Sequence, residues 1–182
     1  MSAVPGRRTR PTSDRVREAL FSRLESRYPM PGARVLDLFA GTGALGIEAL
    51  SRGADLAVFV DVDRGVVDVM RANIRELDLA EHATILTRDF RAALLDLGKT
   101  ERRFNGVFLD PPYRMELAPA ALERLAASAV LMDGAWVALE SGARDELGEL
   151  DADYTVVHEK VYGDTKLTLL EWKAKAEQGD GQ

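Results

Sequence analysis

Between residues 34 and 140 the chain repeats one pattern: a short apolar run, a turn, and a helix with one apolar face. Residues 34–38, 56–60, 84–87, 106–109 and 135–140 read as strands, and 44–51, 64–77, 90–97 and 116–128 as the helices between them. Strands that are apolar on both faces and separated by helices call for a parallel sheet covered on both sides. Two further β-rich runs, 154–162 and 166–173, flank Gly163-Asp164, a good hairpin turn. The expected fold is therefore α/β, a mostly parallel seven-stranded sheet ending in an antiparallel hairpin. In such sheets ligands bind beyond the carboxyl ends of the strands, where the strand order reverses.

Ahead of the sheet, Thr12-Ser13-Asp14 reads as a helix start, and Val16, Leu20, Phe21 and Leu24 recur at helical spacing. A helix is expected over 13–28. The chain then divides into a basic arm with its opening helix (1–30), one domain (31–173) and a polar, glycine-rich tail (174–182) expected to be unstructured. A length of 182 residues suits one domain. The absence of cysteine excludes disulfides and thiolate metal sites, and His82 and His158 lie too far apart in sequence to suggest a metal site, so none is expected. No signal peptide or membrane span is apparent, which fits a cytoplasmic, monomeric protein. The net charge of −6 is uneven: residues 1–30 hold seven arginines against Asp14, Glu18 and Glu25, and so carry +4, leaving −10 on the rest. A basic arm on an acidic body can still meet phosphates.

Strand one runs into Asp37-Leu38-Phe39-Ala40-Gly41-Thr42-Gly43-Ala44-Leu45-Gly46. The glycines match a turn used for NAD, FAD or S-adenosylmethionine, a weak signal alone. Asp37 tilts the choice. A pyrophosphate over this turn would be repelled by an added carboxylate, whereas the ammonium of S-adenosylmethionine would be attracted. Asp61 ends strand two, 20 residues after Gly41, the spacing at which an acid grips ribose hydroxyls. Asp63 competes with it. Asp89 ends strand three and can accept from the adenine amine, with Phe90 packed on the ring; Asp89 can equally be a helix cap.

Strand four delivers Asp110-Pro111-Pro112-Tyr113 to the same rim. The prolines fix φ and remove two backbone donors. The Asp110 side chain and a proline carbonyl can accept both N–H groups of an exocyclic base amine and aim its lone pair at the methyl group. Tyr113 offers a stacking face. A methyl sulfonium is already activated, so the chemistry chiefly requires positioning.

Together, VLDLFAGTGALGIEALSRGA and FLDPPY make the chain resemble the Rossmann-like S-adenosylmethionine-dependent methyltransferases of the RsmD family, which modify the N2 amine of one guanine in small-subunit (16S) ribosomal RNA. RPTSDRVREALF and VYGDTKL, more restricted motifs, carry that family resemblance. The resemblance runs from about Arg10 to Trp172. It implies cofactor roles for Asp37, Ala40, Gly41, Gly43, Asp61 and Asp89, with Phe39, Thr42, Val62 and Phe90 counted in the same site. It implies catalytic roles for Asp110, Pro111 and Tyr113, with Pro112 beside them. It suggests that Arg10, Thr12, Asp14 and Arg15 face substrate at the site's mouth. Lys160 and Lys166, about the hairpin turn, can touch phosphate or be plain surface lysines. The implied partner is ribosomal RNA or the small subunit. The alternatives are an adenine-N6 DNA methyltransferase, a protein-glutamine methyltransferase, and a non-catalytic RNA-binding ribosome-assembly factor on the same scaffold.

Overall fold

The computed structural model describes residues 11–112, 117–148 and 150–174, and of residues 11–13 the backbone alone. The basic arm up to Arg10, Tyr113 and all of the polar tail but Ala174 therefore lie outside the described residues. Helix α1 (Pro11–Glu25) leads to β1 (Arg34–Asp37), α2 (Ala44–Ser51), β2 (Leu56–Asp61), α3 (Arg64–Glu76) and β3 (Ala83–Thr87). Then come α4 (Phe90–Gly98), β4 (Phe104–Leu109), α5 (Leu117–Ala127), β5 (Leu131–Gly142), β6 (Tyr154–Tyr162) and β7 (Thr165–Trp172). Sequence reading missed a short 3-10 turn at Ala80–His82.

The seven strands form one sheet in the order β3-β2-β1-β4-β5-β7-β6. The first five run parallel, and β7 is antiparallel to both of its neighbours. The two-residue alternation of a strand sorts the core into two faces. Val35, Ala57, Phe59, Phe108 and Trp136 pack beneath α1, α2 and α3. Leu36, Val58, Val60, Val107, Leu109 and Val137 pack beneath α4 and α5. Successive strands step outward from β1 to β3, and the chain then crosses back over the sheet to place β4 on the other side of β1. The order reverses between β1 and β4, so their carboxyl ends open a crevice there.

Three departures from expectation have a reason in the packing. Helix α1 stops at Glu25, not 28, because Tyr28 leaves the helix to lie 6.4 Å from the Trp136 ring and donate to Glu171 at 2.9 Å. Strand β5 is longer than 135–140: a bulge in it between Leu131 and Trp136 lets Leu131 pair with Phe104, and β7 pairs it out to Gly142. An irregularity between Val156 and His158 leaves His158 half-buried rather than solvent-facing. The hairpin turn is as expected: Gly163 (φ 60°) and Asp164 alone separate β6 from β7. Trp136 and Trp172 are both buried.

Helix α2 approaches β2 closely at Gly46. A Cβ there would sit 2.3 Å from the Phe59 ring, whose side chain is fully buried. Gly46→Ala is expected to destabilise the fold by about 1–3 kcal/mol and to displace the turn before α2. A lowered melting temperature together with weakened cofactor binding would bear this out; an unchanged melting temperature would contradict it.

Candidate active site

Strand β1 ends on Asp37, which is almost wholly buried. Its Oδ2 accepts from the Gly46 backbone N–H at 3.0 Å, and its Oδ1 has no partner in the structure. Burial, opposed by that hydrogen bond and reinforced by the nearby Asp61 charge, pushes the Asp37 carboxyl up to about 7. A buried carboxylate with one oxygen unmatched is built to receive a cation or a donor.

The turn that follows is shaped by two glycines in left-handed backbone, Gly41 (φ 55°) and Gly43 (φ 86°). A Cβ on Gly41 would meet nothing within 4 Å, so open space adjoins the turn, whereas one on Gly43 would press on Met70 and Ile47. Two polar side chains hold the turn. Asp61 Oδ2 accepts from Gly41 N–H at 2.8 Å while its Oδ1 accepts from Asp63 N–H at 2.9 Å. Asn73, wholly buried on α3, donates to the Thr42 carbonyl at 3.2 Å. Asp63 instead caps α3 by accepting from Gly65 and Val66 N–H. Of the two competing acids, Asp61 thus bridges strand and turn, and Asp63 serves as the helix cap.

Beyond these carboxyl ends lies a cleft of about 580 Å³. Phe39, Gly41, Asp61, Val62, Asp89 and Phe90 line one part of it, and Asp110, Pro111 and Pro112 another. Asp89 both lines the cleft and caps α4, accepting from Arg91 N–H at 2.9 Å. Phe90 is 4% exposed and stacks against Phe39 at 5.1 Å, so it presents little of its ring. Asp37, Ala40, Thr42 and Gly43 do not line the cleft; they lie behind it and shape it.

Asp110 follows β4 at the cleft wall. Burial of its surroundings, then the Glu140 and Asp37 charges, push its carboxyl well above the ordinary range. Water still reaches the side chain, so the shift reflects a recessed and crowded position rather than full enclosure. Glu140 stands beside it because Leu109 and Leu139 are register partners on β4 and β5. The cleft wall thus concentrates carboxylates, which repels phosphates and suits a cationic ligand.

The residues expected to meet RNA fare differently. Glu25 at the end of α1 pairs with Arg52, just past the end of α2, at 2.8 Å. The start of α2 is the glycine turn, so α1 ends at the foot of the sheet and begins near the cleft rim. Arg15 is exposed in that first stretch, and Thr12 lies beside it on the helix. Lys160 is exposed, its ammonium 5.1 Å from the Tyr162 ring centroid. Lys166 is not a surface lysine: it is 9% exposed and its ammonium donates to the Asp145 carbonyl. Pairing with Val161 across the hairpin turns it away from α1. Sequence reading missed Asn73, Leu38, Val66, Arg88 and Leu117, of which the last four also line the cleft. Asn73 had a signal, a polar residue among Val66, Val67, Met70 and Ile74 on the apolar face of α3.

The chain matches the family described as Conserved hypothetical protein 95 over residues 1–171. It is 37% identical over 169 residues to YlbH of Bacillus subtilis, covering 93% of this chain and 91% of that one. It is 36% identical over 168 residues to ribosomal RNA small subunit methyltransferase D of Escherichia coli, covering 92% and 82%. The chain belongs to this methyltransferase D family. Its fold agrees: the solved structure of yhhF from Escherichia coli superposes with a TM-score of 0.82 at 32% identity, covering 95% of this chain and 92% of that one. Asp110 lines the cleft, and Asp37 lies behind it, close enough for its charge to raise the Asp110 carboxyl.

Proposed function

We propose that the protein binds S-adenosylmethionine and transfers its methyl group to the N2 amine of a guanine in small-subunit ribosomal RNA. The observation that carries this reading is one cleft joining a glycine turn and Asp110-Pro111-Pro112, with a buried carboxylate that keeps one oxygen unmatched directly behind the turn. Asp37 would hold the ligand ammonium, Asp61 the ribose hydroxyls through its second lone pairs, and Asp89 the adenine amine. The cofactor, when bound, supplies a methyl group already activated by a positive sulfur. The chain's own task is then to place the acceptor nitrogen. Asp110 and the Pro111 carbonyl accept the two amine hydrogens, which directs the nitrogen lone pair along the line of displacement. The methylated amine would carry one surplus proton, which Asp110 or water would take. The raised pKa of Asp110 makes it a better proton acceptor than an ordinary carboxylate. A base within a paired stem must first be unstacked.

The test is transfer of labelled methyl to four substrates in parallel: small ribosomal subunits from a methylation-deficient strain, naked ribosomal RNA, duplex DNA and a release factor. Digestion of labelled RNA to nucleosides should yield N2-methylguanosine. Label in DNA, protein or another nucleoside would overturn the substrate while keeping the chemistry. No transfer despite cofactor binding would favour a binding protein on this scaffold.

A further inference from the structure

Helix α1 gathers its acids on one flank. Val16, Leu20, Phe21 and Leu24 face the core. At about 3.6 residues per turn, Asp14, Glu18 and Glu25 fall to one side of that stripe, with Arg17 beside them and paired to Asp14 at 2.8 Å; Arg23 falls to the other side, Arg15 points outward between Glu18 and Arg23, and Arg27 follows just past the helix end. The contacts agree: Glu25 pairs with Arg52 on the α2 side, and Arg27 pairs with Glu171 of β7 at 3.1 Å. The acidic flank thus faces α2, and the basic flank faces the β7-β6 edge.

Cross-strand partners share a side of a sheet. His158 and Lys160 of β6 pair with Leu169 and Leu167, and Tyr162 pairs with Thr165. Leu167 and Leu169 belong to the core beneath α1. His158, Lys160 and Tyr162 therefore lie on the α1 side of the edge strand. Burial, then Arg23 and Lys160, push the His158 imidazole below its ordinary pKa, which places both cations close to it and leaves the ring neutral near pH 7. Among the described residues no carboxylate pairs with Arg15, Arg23 or Lys160. Glu159, the neighbouring acid, pairs with Thr168 on the opposite side, where it meets Lys166.

The two rails are matched in length and direction. Strand β6 is antiparallel to β7, which is antiparallel to β5, so β6 climbs toward the cleft rim. From His158 to Tyr162 it rises about 13 Å. From Arg23 back to Arg15 the helix rises about 12 Å in the same direction. The pair ends on the Asp110 side of the sheet, away from Asp61 and Asp89.

We propose that Arg15, Arg23 and Lys160, with Tyr162 at the upper end, form a strip that binds the phosphate backbone of the substrate RNA and leads it to the acceptor side of the cleft. This rests on RNA being the substrate. It also explains how a chain of net charge −6 holds a polyanion: three cations without a carboxylate partner among the described residues line one route to the cleft.

The test is the double reversal Arg23→Glu with Lys160→Glu, read by the Kd for naked small-subunit RNA against salt concentration. The expected result is a Kd raised about 10–100-fold at low salt, with a salt dependence shallower by about one to two phosphate contacts. Affinity for S-adenosylhomocysteine, measured by calorimetry, stays unchanged and shows that the fold is intact. Lys99→Glu with Arg102→Glu, exposed at the foot of β4, should leave RNA binding as it was. Should the reversal fail to fold, Arg23→Gln with Lys160→Gln decides with a smaller effect of the same sign. Unchanged RNA affinity in the strip variant, or an equal loss in the control pair, overturns the strip. A wild-type protein that binds no RNA and methylates DNA or protein instead overturns the underlying reading, and the strip with it.

Discussion

Asp110→Ala is expected to lower the rate of methyl transfer by about 10²–10³-fold while leaving S-adenosylhomocysteine binding nearly intact. The side chain lines the cleft on the β4 side, away from the acids of β2 and β3. On the proposed reading its loss would remove an acceptor for the amine and a proton acceptor, and would let the acceptor nitrogen drift from the line of displacement. Asp110→Asn separates these roles, because the amide oxygen still accepts a hydrogen bond but takes no proton. The wild-type pH profile adds a sign. The reactive form is the ionised one and the pKa is raised, so activity falls as pH drops through the neutral range. Single-turnover measurements with saturating cofactor would check all three. Wild-type turnover in Asp110→Ala would sink the assignment of this wall as catalytic.

Asp37→Asn is expected to act in opposite directions on ligand and fold. Cofactor affinity should fall about 10-fold or more, as for loss of a buried charged hydrogen bond. The ligand-free protein should gain stability above neutral pH, by on the order of 1–3 kcal/mol. The folded-state pKa of about 7 lies above the ordinary value of 3.8. The folded protein therefore holds this proton more tightly than the unfolded chain. The resulting stability is fully present below pH 4 and is lost as pH rises through about 7. Melting curves of wild type and Asp37→Asn without ligand should diverge across that window, with the variant the flatter of the two. Parallel curves would show that Asp37 carries no such burden. A variant that binds S-adenosylhomocysteine as tightly as wild type would remove its role toward the ammonium.

Much of this architecture is legible in the sequence because its signals are local. Asp37, Gly41 and Gly43 sit on one strand-to-helix turn, and Gly163-Asp164 closes a hairpin between adjacent strands, so spacing alone is enough to place them. Strand direction carries over equally well, since alternating strands and helices call for a parallel sheet, whereas the order β3-β2-β1-β4-β5-β7-β6 comes from the fold alone. The failures concern long-range packing. Nothing near Lys166 in sequence reveals that Asp145 lies against its ammonium and draws it inward. Tyr28 ends α1 early for the sake of Trp136 and Glu171, more than 100 residues away. Asn73 holds the glycine turn from α3, and only the fold brings the two together. The charge rails are of the same kind, since half of the strip comes from residues 15–23 and half from residues 158–162.

The position of β7 has a consequence for synthesis. It is the last in chain order of the seven described strands, yet it lies between β5 and β6, and nearly all its side chains are buried. While the ribosome is still adding residues 154–162, that segment has no neighbour to join, because the strand on which it will pair does not yet exist. The half of the sheet bearing the glycine turn draws on contiguous chain and can form early. The other half must wait until β7 has been made, and until then β5 exposes a bare apolar edge. A chain broken off before Thr165 is thus expected to aggregate rather than survive as a smaller five-stranded protein.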